Sequence, residues 1–315
     1  MDVKNDKYSF ERLDSTKYSD LVSISKSAFG IDPGVEYYSK KNATQKFGIP
    51  DLGFIAYARD GTPAAFYGIY SQPLIFNDTF IHAGQSGDTM THKDHMGQGL
   101  FVILANKTYD LAIEFGLEFV FGFPNEKSFP GFQKKLNWEF KEKVKEYRIK
   151  VFTFPLAKIA SKVSVLAKLY TWYSGIVLKY LTQSGHSFKC SCLENDIGSV
   201  NRTSDYYEYK FKNKNFIINI NGVNVWIKID AFLFIGDIER SDNIDYKLLI
   251  KQIKRVSFFL GIDCILFQTS PDTFLDKKIG KILASKDAFY VGFRNLNSVV
   301  DPKKFKFVFG DADTF

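Results

Sequence analysis

The chain has 315 residues, of which 45% are hydrophobic and 24% are charged, so its composition indicates a globular protein and excludes a disordered one. Its 42 Lys and Arg residues outnumber 35 Asp and Glu residues, giving a formal charge of +7, yet no basic block is dense enough to predict nucleic-acid binding. Three cysteines are too few for a disulfide framework, and the opening MDVKNDKYSF has no signal-peptide pattern, so we expect a cytoplasmic protein.

The first half of the sequence alternates between strand and helix patterns. A short strand, YSFERL, precedes a helix over STKYSDLVSISKSAF, with Ser15 as its predicted N-cap, and a weaker helix over VEYYSKKNATQKF. The runs GFIAYARD and AAFYGIYSQPLIFN predict a hairpin around Asp60–Gly61, and DTFIHAGQSGDTMTH predicts a third strand. A helix from Leu100 to Gly116, a buried strand LEFVFGFPN, a short helix SFPGFQKKL and a long strand WEFKEKVKEYRIKVFTF complete this half.

One amphipathic helix is predicted over residues 154–182. Its apolar positions recur at steps of four and three, as on one helical face: Ile159, Val163, Leu166, Tyr170, Tyr173, Val177 and Tyr180. Lys168 and Lys179 interrupt the run, whereas a membrane-spanning helix needs about 20 mainly apolar residues. We expect this face to pack against the body of the protein, and contact of residues 163–181 with a membrane surface is the alternative interpretation.

The order of elements then repeats. Strands NFIINI and VNVWIKIDAFLFIGDI are followed by a helix DYKLLIKQIKRVSFFLG, a strand CILFQT, a helix FLDKKIGKILAS and the strands FYVGFRNL and FKFVFG. The two halves match in element order and not in sequence, which indicates an internal duplication. The predicted fold is a mixed α/β sheet structure with a first domain over residues 1–153, a helical connector and polar linker over 154–204, and a second domain over 205–315.

Two glycines surround one glutamine in HMGQGLF, between a predicted strand and a predicted helix. A helix start offers free N–H groups and the positive end of the backbone dipole, and glycines ahead of it let an anion approach the backbone closely. Gly97 and Gly99 therefore predict a phosphate site, although two glycines alone are more often a tight turn. The motif is neither a Walker loop nor a dinucleotide fingerprint, since it lacks a Gly-Lys-Ser/Thr ending and a third glycine.

The segment from Asp88 to Trp138 resembles the central motifs of the GNAT acyl-CoA acyltransferase superfamily. In that superfamily a strand leads into an Arg/Gln-x-x-Gly-x-Gly/Ala turn, whose amides hold the pyrophosphate of coenzyme A. The resemblance gives this role to Met96, Gly97, Gln98, Gly99, Leu100 and Phe101, and it implies acetyl-CoA as the acyl donor. It also implies a backbone oxyanion donor within Thr89, Met90 and Thr91, and cofactor contacts at Asn125 and Phe132. The whole chain would then be two GNAT-like domains in tandem, joined by the amphipathic helix.

Three residues depart from the pattern of the superfamily. Met96 stands where Arg or Gln is usual, and Phe101 where a small residue is usual. Phe132 falls near the position of a tyrosine that protonates the leaving thiolate in many members, and phenylalanine has no proton to donate. Ser128 is a candidate replacement donor, although an N-cap of the short helix is the commoner role for such a serine.

The second half resembles the same fold without its active parts. Around the turn DIERSDNID there is no Gly-x-Gly, and five acidic residues would repel a pyrophosphate: Asp230, Asp237, Glu239, Asp242 and Asp245. We therefore expect this half to bind no coenzyme A and to shape the acceptor site.

Four side chains are candidate general bases for transfer to an amine: Asp88, His92, His95 and Glu126. Asp88 lies in the strand before the glycine turn, where it either acts as the base or pins the turn. Histidine as a residue type suits acid–base catalysis, but these two lie in a polar segment, THKDH, in which surface histidines are common. Near the chain end, Asp311 and Asp313 are either a polar tail or a pair that binds a cationic acceptor.

The leading prediction is an acyl-CoA-dependent N-acyltransferase that acetylates an amine of a small molecule, such as an amino sugar of a surface-polysaccharide pathway, by direct attack. A non-catalytic binding protein of the same fold and an aminoacyl-tRNA-dependent transferase are the alternatives. No metal site is predicted, because Cys190 and Cys192 have only His186 nearby and a metal needs about four ligands. The sequence predicts no oligomeric state.

Overall fold

The computed structural model describes residues 7–211 and 215–315, and this part of the chain divides into two compact units. The first unit contains the described residues up to Leu74, together with Thr79–Lys141 and Tyr290–Lys304. The second contains Ile75–Asp78, the described residues of Glu142–Phe289, and Phe305–Phe315. Each unit is thus discontinuous in sequence, which differs from the predicted boundaries at residues 153 and 204.

The elements follow the predicted order of strands and helices. Up to residue 135 they are β1 (Tyr8–Arg12), α1 (Tyr18–Phe29), α2 (Val35–Asn42), β2 (Leu52–Ala58), β3 (Pro63–Phe76), β4 (Thr79–Thr91), α3 (Leu100–Glu114), β5 (Phe119–Gly122) and α4 (Phe129–Lys135). After them come β6 (Glu139–Lys150), α5 (Leu156–Ala160), α6 (Ser164–Leu181), β7 (Gln183–Ser184), β8 (Ser199–Val200), α7 (Ser204–Lys210), β9 (Asn215–Ile220), β10 (Val223–Ile229), β11 (Leu233–Ile238), α8 (Tyr246–Phe259), β12 (Cys264–Thr269), α9 (Phe274–Ile279) and β13 (Ser285–Asn295). The prediction of a mixed α/β protein is confirmed.

The first unit is a sheet in the order β1-β2-β3-β4-β5-β13. β1, β2 and β3 are antiparallel neighbours, β4 and β5 are parallel, and the last residues of β13 run antiparallel to β5. The crossover between the two parallel strands is α3, whose apolar side buries Leu104, Ala105 and Ala112 in the core of the unit. One local prediction was wrong: Asp14, and not Ser15, caps the start of the first helical segment by accepting a hydrogen bond from the amide of Thr16.

The second unit is a sheet in the order β7-β9-β10-β11-β12-β6. Its strands are antiparallel except for β11 and β12, which are parallel and are connected by α8. The two units therefore share one order: antiparallel strands, a helical crossover to a parallel strand, and a closing antiparallel strand. The closing strand of each sheet comes from the other half of the sequence. β6, from the first half, pairs with β12 of the second unit, and β13, from the second half, pairs with β5 of the first unit. Chain order alone had assigned β6 to the first domain.

The predicted helix over residues 154–182 is two helices, α5 and α6. The break falls at residues 161–163, where Val163 has extended backbone angles (φ −132°, ψ 118°) ahead of α6. Only the second part of the predicted face packs inward: Tyr170, Tyr173 and Val177 join the core of the second unit. The prediction was wrong for Ile159, Val163, Leu166 and Tyr180, which are each more than a third exposed.

Candidate active site

The predicted glycine turn connects β4 to α3 in the first unit. Gly97 and Gly99 both have φ of 75°, in the left-handed region that glycine adopts without steric cost. The helix has no side-chain cap, because its N-cap position is Gly99. Its first hydrogen bonds run from the amides of Val102 and Ile103 to the carbonyl of Gly99, so the amides of Leu100 and Phe101 precede the bonded turns. This helix start has the geometry that binds an anion.

An open cavity of about 360 Å³ lies against this turn. It is lined by Thr91, His95, Lys135 and the continuous run from Met96 to Val102. A Cβ added to Gly97 or Gly99 would meet nothing within 4 Å, so the backbone of the turn borders open space. Lys135, at the end of α4, brings a positive charge to the cavity. Sequence reasoning missed this lysine, because nothing in the KKLNW segment singles it out from Lys134.

The strands β4 and β5 pair only over a short register. Ala83, Gly84 and Gln85 face residues 119–121 of β5, which ends at Gly122, whereas β4 continues to Thr91. The backbone of β4 beyond Gln85 includes Thr89, Met90 and Thr91, the predicted oxyanion segment. Thr89 and Thr91 are half-buried, and the side chain of Met90 is buried and accepts a hydrogen bond from the hydroxyl of Tyr38 at 3.5 Å. Parallel strands that part in this way expose backbone groups to a ligand.

Asp88 interrupts β4 with a left-handed backbone, φ 50°, which is uncommon for a residue other than glycine. Its carboxylate accepts a hydrogen bond from the hydroxyl of Tyr70 at 2.5 Å and lies 2.8 Å from the ammonium of Lys41 on α2. Neither partner belongs to the glycine turn, so the alternative that Asp88 pins that turn is wrong. Burial, and then the charge of Asp88, raise the pKa of Tyr70 well above its usual value, which keeps this phenol protonated as a donor.

The two histidines before the turn have different roles. The Nδ1 atom of His92 accepts a hydrogen bond from the amide of Asp94 at 3.3 Å and so caps a short 3-10 turn. His95 lines the cavity, and its Nδ1 atom lies 3.0 Å from the hydroxyl of Tyr8. The structure therefore brings His95, rather than the predicted His92, to the glycine turn. Both rings are half-buried rather than fully exposed.

Asn125 and Ser128 form a turn of their own before α4. The side-chain oxygen of Asn125 accepts hydrogen bonds from the amides of Lys127 and Ser128, both at 3.0 Å. Ser128 occupies the predicted N-cap position of α4, but its hydroxyl bonds back to Asn125 and makes no capping hydrogen bond to the helix. Glu126, the remaining candidate base, is exposed in this turn.

Phe132 packs in a buried aromatic cluster beneath the turn. Its ring lies 5.2 Å from Phe101, 4.6 Å from Trp138 and 6.5 Å from Tyr67, measured between centroids. Beside it runs a chain of hydroxyls, in which Ser86 donates to Tyr67 at 2.9 Å and Tyr67 lies 2.9 Å from the hydroxyl of Tyr109. Phe101 and Phe132, two of the residues that depart from the pattern of the superfamily, thus pack against each other and fill the space that smaller residues would leave.

No protein-family model matches the chain, and no curated protein sequence matches it either. Solved structures do match. A conserved protein of unknown function from Enterococcus faecalis V583 has a TM-score of 0.60 and 13% identity, over 92% of this chain and 73% of its own. GCN5-related N-acetyltransferases (GNAT) from Kribbella flavida and Anabaena variabilis each have a TM-score of 0.55, at 10% and 12% identity, over 92% of this chain and 71% and 73% of theirs. This chain has the GNAT fold.

The second unit has a different turn at the corresponding position of its sheet, between β11 and α8. Asp245 is the N-cap of α8, and its carboxylate accepts hydrogen bonds from the amides of Lys247 and Leu248 at 2.8 and 3.2 Å. The start of α8 is therefore filled by the chain's own carboxylate, whereas the start of α3 is open.

Two of the acidic residues predicted to repel a pyrophosphate or to bind an acceptor are buried instead. Asp237 in β11 and Asp311 near the chain end flank the guanidinium of Arg202 at 2.5 and 2.8 Å, and all three side chains are fully buried. Burial would lower the pKa of Arg202, but Asp311 and Asp237 raise it well above its usual value. The expectation that Asp311 belongs to a polar tail was wrong, as was the alternative that it binds an acceptor.

Proposed function

We propose that the chain is an acyl-CoA-dependent N-acyltransferase, which transfers an acetyl group from acetyl-CoA to an amine of a small molecule. The observation that carries the proposal is the uncapped start of α3, where two left-handed glycines and Lys135 surround an open cavity in a unit with the GNAT fold. The amides from Gly97 to Phe101 bind the pyrophosphate of the donor, and the Lys135 ammonium adds a charge contact.

The pantetheine arm of the donor runs along β4 where β5 leaves it. This places the thioester carbonyl beside the backbone of Thr89, Met90 and Thr91, one of whose N–H groups stabilises the oxyanion that forms during attack. Asn125, whose carboxamide already holds the turn before α4, keeps that turn in place at the edge of the donor site rather than binding the donor directly.

Asp88 is the residue that we assign as the general base. The ammonium of Lys41, at 2.8 Å, and the donor hydroxyl of Tyr70, at 2.5 Å, fix the orientation of its carboxylate. The amine nitrogen attacks the thioester carbon, the carbon–sulfur bond breaks, and the proton that leaves the nitrogen goes to Asp88. His92, the other predicted catalytic side chain, is already used as a cap. His95 lies at the cavity, where it is placed to contact the donor.

The leaving thiolate needs a proton that Phe132 cannot supply. The thiolate leaves as an anion and takes its proton from solvent. The hydroxyl of Ser86 is our candidate for a hydrogen bond to the departing sulfur, because Ser86 lies on β4 next to Gly122, just beyond the paired residues of β4 and β5. Ser128 is the less suitable group, since its hydroxyl is bonded within its own turn. Sequence reasoning missed Ser86, because it is one of several small polar residues in the β4 pattern.

The second unit, in this proposal, is a copy of the fold that does not bind the donor. The shared strand order and the capped start of α8 support it. The acceptor class to test first is the amino sugars.

The experiment measures thiol release from acetyl-CoA with a panel of amines that includes amino sugars. With the best acceptor, Asp88→Asn should lower kcat by about a hundredfold or more, with acetyl-CoA affinity retained, because only proton transfer is lost. Asp94→Asn is the matched control: this carboxylate is exposed, lies in the segment between Asp88 and the glycine turn, and should leave kcat unchanged. Full turnover in Asp88→Asn would contradict the assignment of the base, and absence of acetyl-CoA binding would contradict the function.

A further inference from the structure

Helix α6 in the second unit is apolar on two faces. Its inner face packs into the core through Tyr170, Tyr173, Val177 and Leu178. A second row lies on the outside, which we call the outer stripe: Val165, Leu169, Trp172 and Tyr180, between 59% and 82% exposed. These positions are spaced by four, three and eight residues, so they share one side of the helix. A helix that is apolar all round is normally covered on every side.

Exposed apolar side chains continue beyond the outer stripe. Phe152 and Phe154, just before α5, are 94% and 65% exposed. Phe258 and Phe259, at the end of α8, are also exposed, and the hydroxyl of Tyr173 on α6 donates to the carbonyl of Phe259 at 2.5 Å. Exposed aromatic residues therefore lie in the segments next to α6 as well as on it, and a concentration of exposed apolar side chains marks an interaction site.

The charge of this part of the chain has a single sign. Residues 147–193 contain no Asp or Glu and seven basic residues: Arg148, Lys150, Lys158, Lys162, Lys168, Lys179 and Lys189. Lys168 follows Val165 by three residues and Lys179 follows Trp172 by seven, so both flank the outer stripe on the helix. Both side chains are exposed, as is Lys162 just ahead of the helix.

We propose that the outer stripe and its flanking lysines dock the protein on the surface of an anionic lipid membrane. Trp, Tyr and Phe are the residues that favour the membrane–water interface, and lysine stems lie along apolar surface while their ammonium groups reach lipid phosphates. The contact is with the surface, since among the described residues no helix is long and apolar enough to cross a membrane.

Other occupants fit this surface less well. A second copy of the chain would bring the same positive charges against each other, at an electrostatic cost. A nucleic acid would match the lysines but leave the exposed aliphatic side chains Val165 and Leu169 without apolar partners. An anionic bilayer offers both phosphate groups and hydrocarbon.

The experiment mixes the full chain with vesicles of phosphatidylcholine, with and without phosphatidylglycerol, and measures co-sedimentation and tryptophan emission. Trp172 is a clean reporter, because the other two tryptophans, Trp138 and Trp226, are 3% and 0% exposed. We expect binding and a blue shift with the anionic vesicles only, and release at high salt. Replacing Lys162, Lys168 and Lys179 with Gln together should weaken binding about a hundredfold, at about fivefold per charge, and Leu169→Ser should weaken it about tenfold.

The control is Val299→Ser, a fully exposed apolar residue in the first unit, which should bind like the unaltered chain. Melting curves from circular dichroism establish that each variant is folded. The proposal is overturned by an absence of vesicle binding, by equal binding of the triple lysine variant, or by equal binding to both vesicle types. A dimer without lipid that Leu169→Ser dissociates would assign the outer stripe to a second copy, and lysine-dependent nucleic-acid binding in place of vesicle binding would assign it to that partner.

Discussion

The two crossover helices of this protein, α3 and α8, occupy equivalent positions in sheets of the same strand order but begin in opposite ways. The first starts at Gly99 in a left-handed conformation, with no side-chain cap and an open cavity in front of its amides. The second starts at Asp245, whose carboxylate accepts the hydrogen bonds of the first amides. One helix start is open to an external anion, and the other is satisfied by an internal one.

The two parallel strand pairs differ as the two helix starts do: β4 continues beyond its pairing with β5, whereas the space beside β11 is filled by the chain itself. In the first unit the described pairing of β4 with β5 ends at Gln85 and β4 continues beyond it. In the second, the last residues of the chain fill the space beside β11: Gly236 lies against the ring of Phe315, and Asp311 joins the buried ion pairs of Arg202. The comparison teaches that two sheets of one strand order differ in the space they leave for a ligand: the first unit leaves it at an open helix start, and the second fills it with its own residues.

The largest expected effect comes from removing the buried cation of the second unit. Arg202→Leu leaves Asp237 and Asp311 buried without their cation, so the free energy of unfolding should fall by about 3–5 kcal/mol in urea titrations. Arg240→Leu is the control, because its pair with Glu194 is partly exposed and should be worth about 1 kcal/mol or less. An equal loss of unfolding free energy in the two variants would mean that the buried ion pairs of Arg202 stabilise the second unit no more than a partly exposed ion pair does.

The next largest effect is expected from a substitution at the open start of α3 in the first unit. Gly99→Asp places a carboxylate at the start of α3, and acetyl-CoA affinity should fall by at least about a hundredfold, because the carboxylate repels the pyrophosphate. Gly222→Asp is the matched control: Gly222 has φ of 84° and equally open surroundings, so it carries the same backbone strain in the second unit. Retained affinity in Gly99→Asp would place the donor elsewhere.

A smaller effect is expected from opening the closed helix start. Asp245→Ala removes the cap of α8 and should lower the free energy of unfolding by about 1 kcal/mol. It should not create a site for acetyl-CoA, because the space beside β11 is filled. Asp242→Ala, which removes an exposed ion pair with Lys278, should change stability by less than about 0.5 kcal/mol. Acetyl-CoA binding gained by Asp245→Ala would show that the cap alone excludes it.

The smallest effect concerns the turn before α4. Ser128→Ala should change neither turnover nor stability by more than about 0.5 kcal/mol, because the hydroxyl makes no cap. Asn125→Ala should cost about 1 kcal/mol, since it removes the side-chain acceptor of two backbone amides, of which only that of Ser128 keeps a bond to the carbonyl of Asn125. A loss of turnover in Ser128→Ala at unchanged melting temperature would restore Ser128 as the proton donor.

Much of this comparison could be predicted from local sequence. The glycine turn, the element order and the lack of a Gly-x-Gly in the second half all depend on residues close together in the chain, so periodicity and turn chemistry were sufficient. The exchange of β6 and β13 could not be predicted, because either strand pattern fits either sheet edge. The partners of Asp88 were also missed, since Lys41 and Tyr70 are distant in sequence and become neighbours only through the packing of α2 against the sheet.

The most direct test of the open and closed helix starts is a calorimetric titration of the full chain with acetyl-CoA, which counts donor sites. The account predicts one acetyl-CoA bound per chain, with that binding lost in Gly99→Asp and unchanged in Gly222→Asp. Two molecules bound per chain, or one that survives Gly99→Asp, would contradict the claim that only the start of α3 receives the donor.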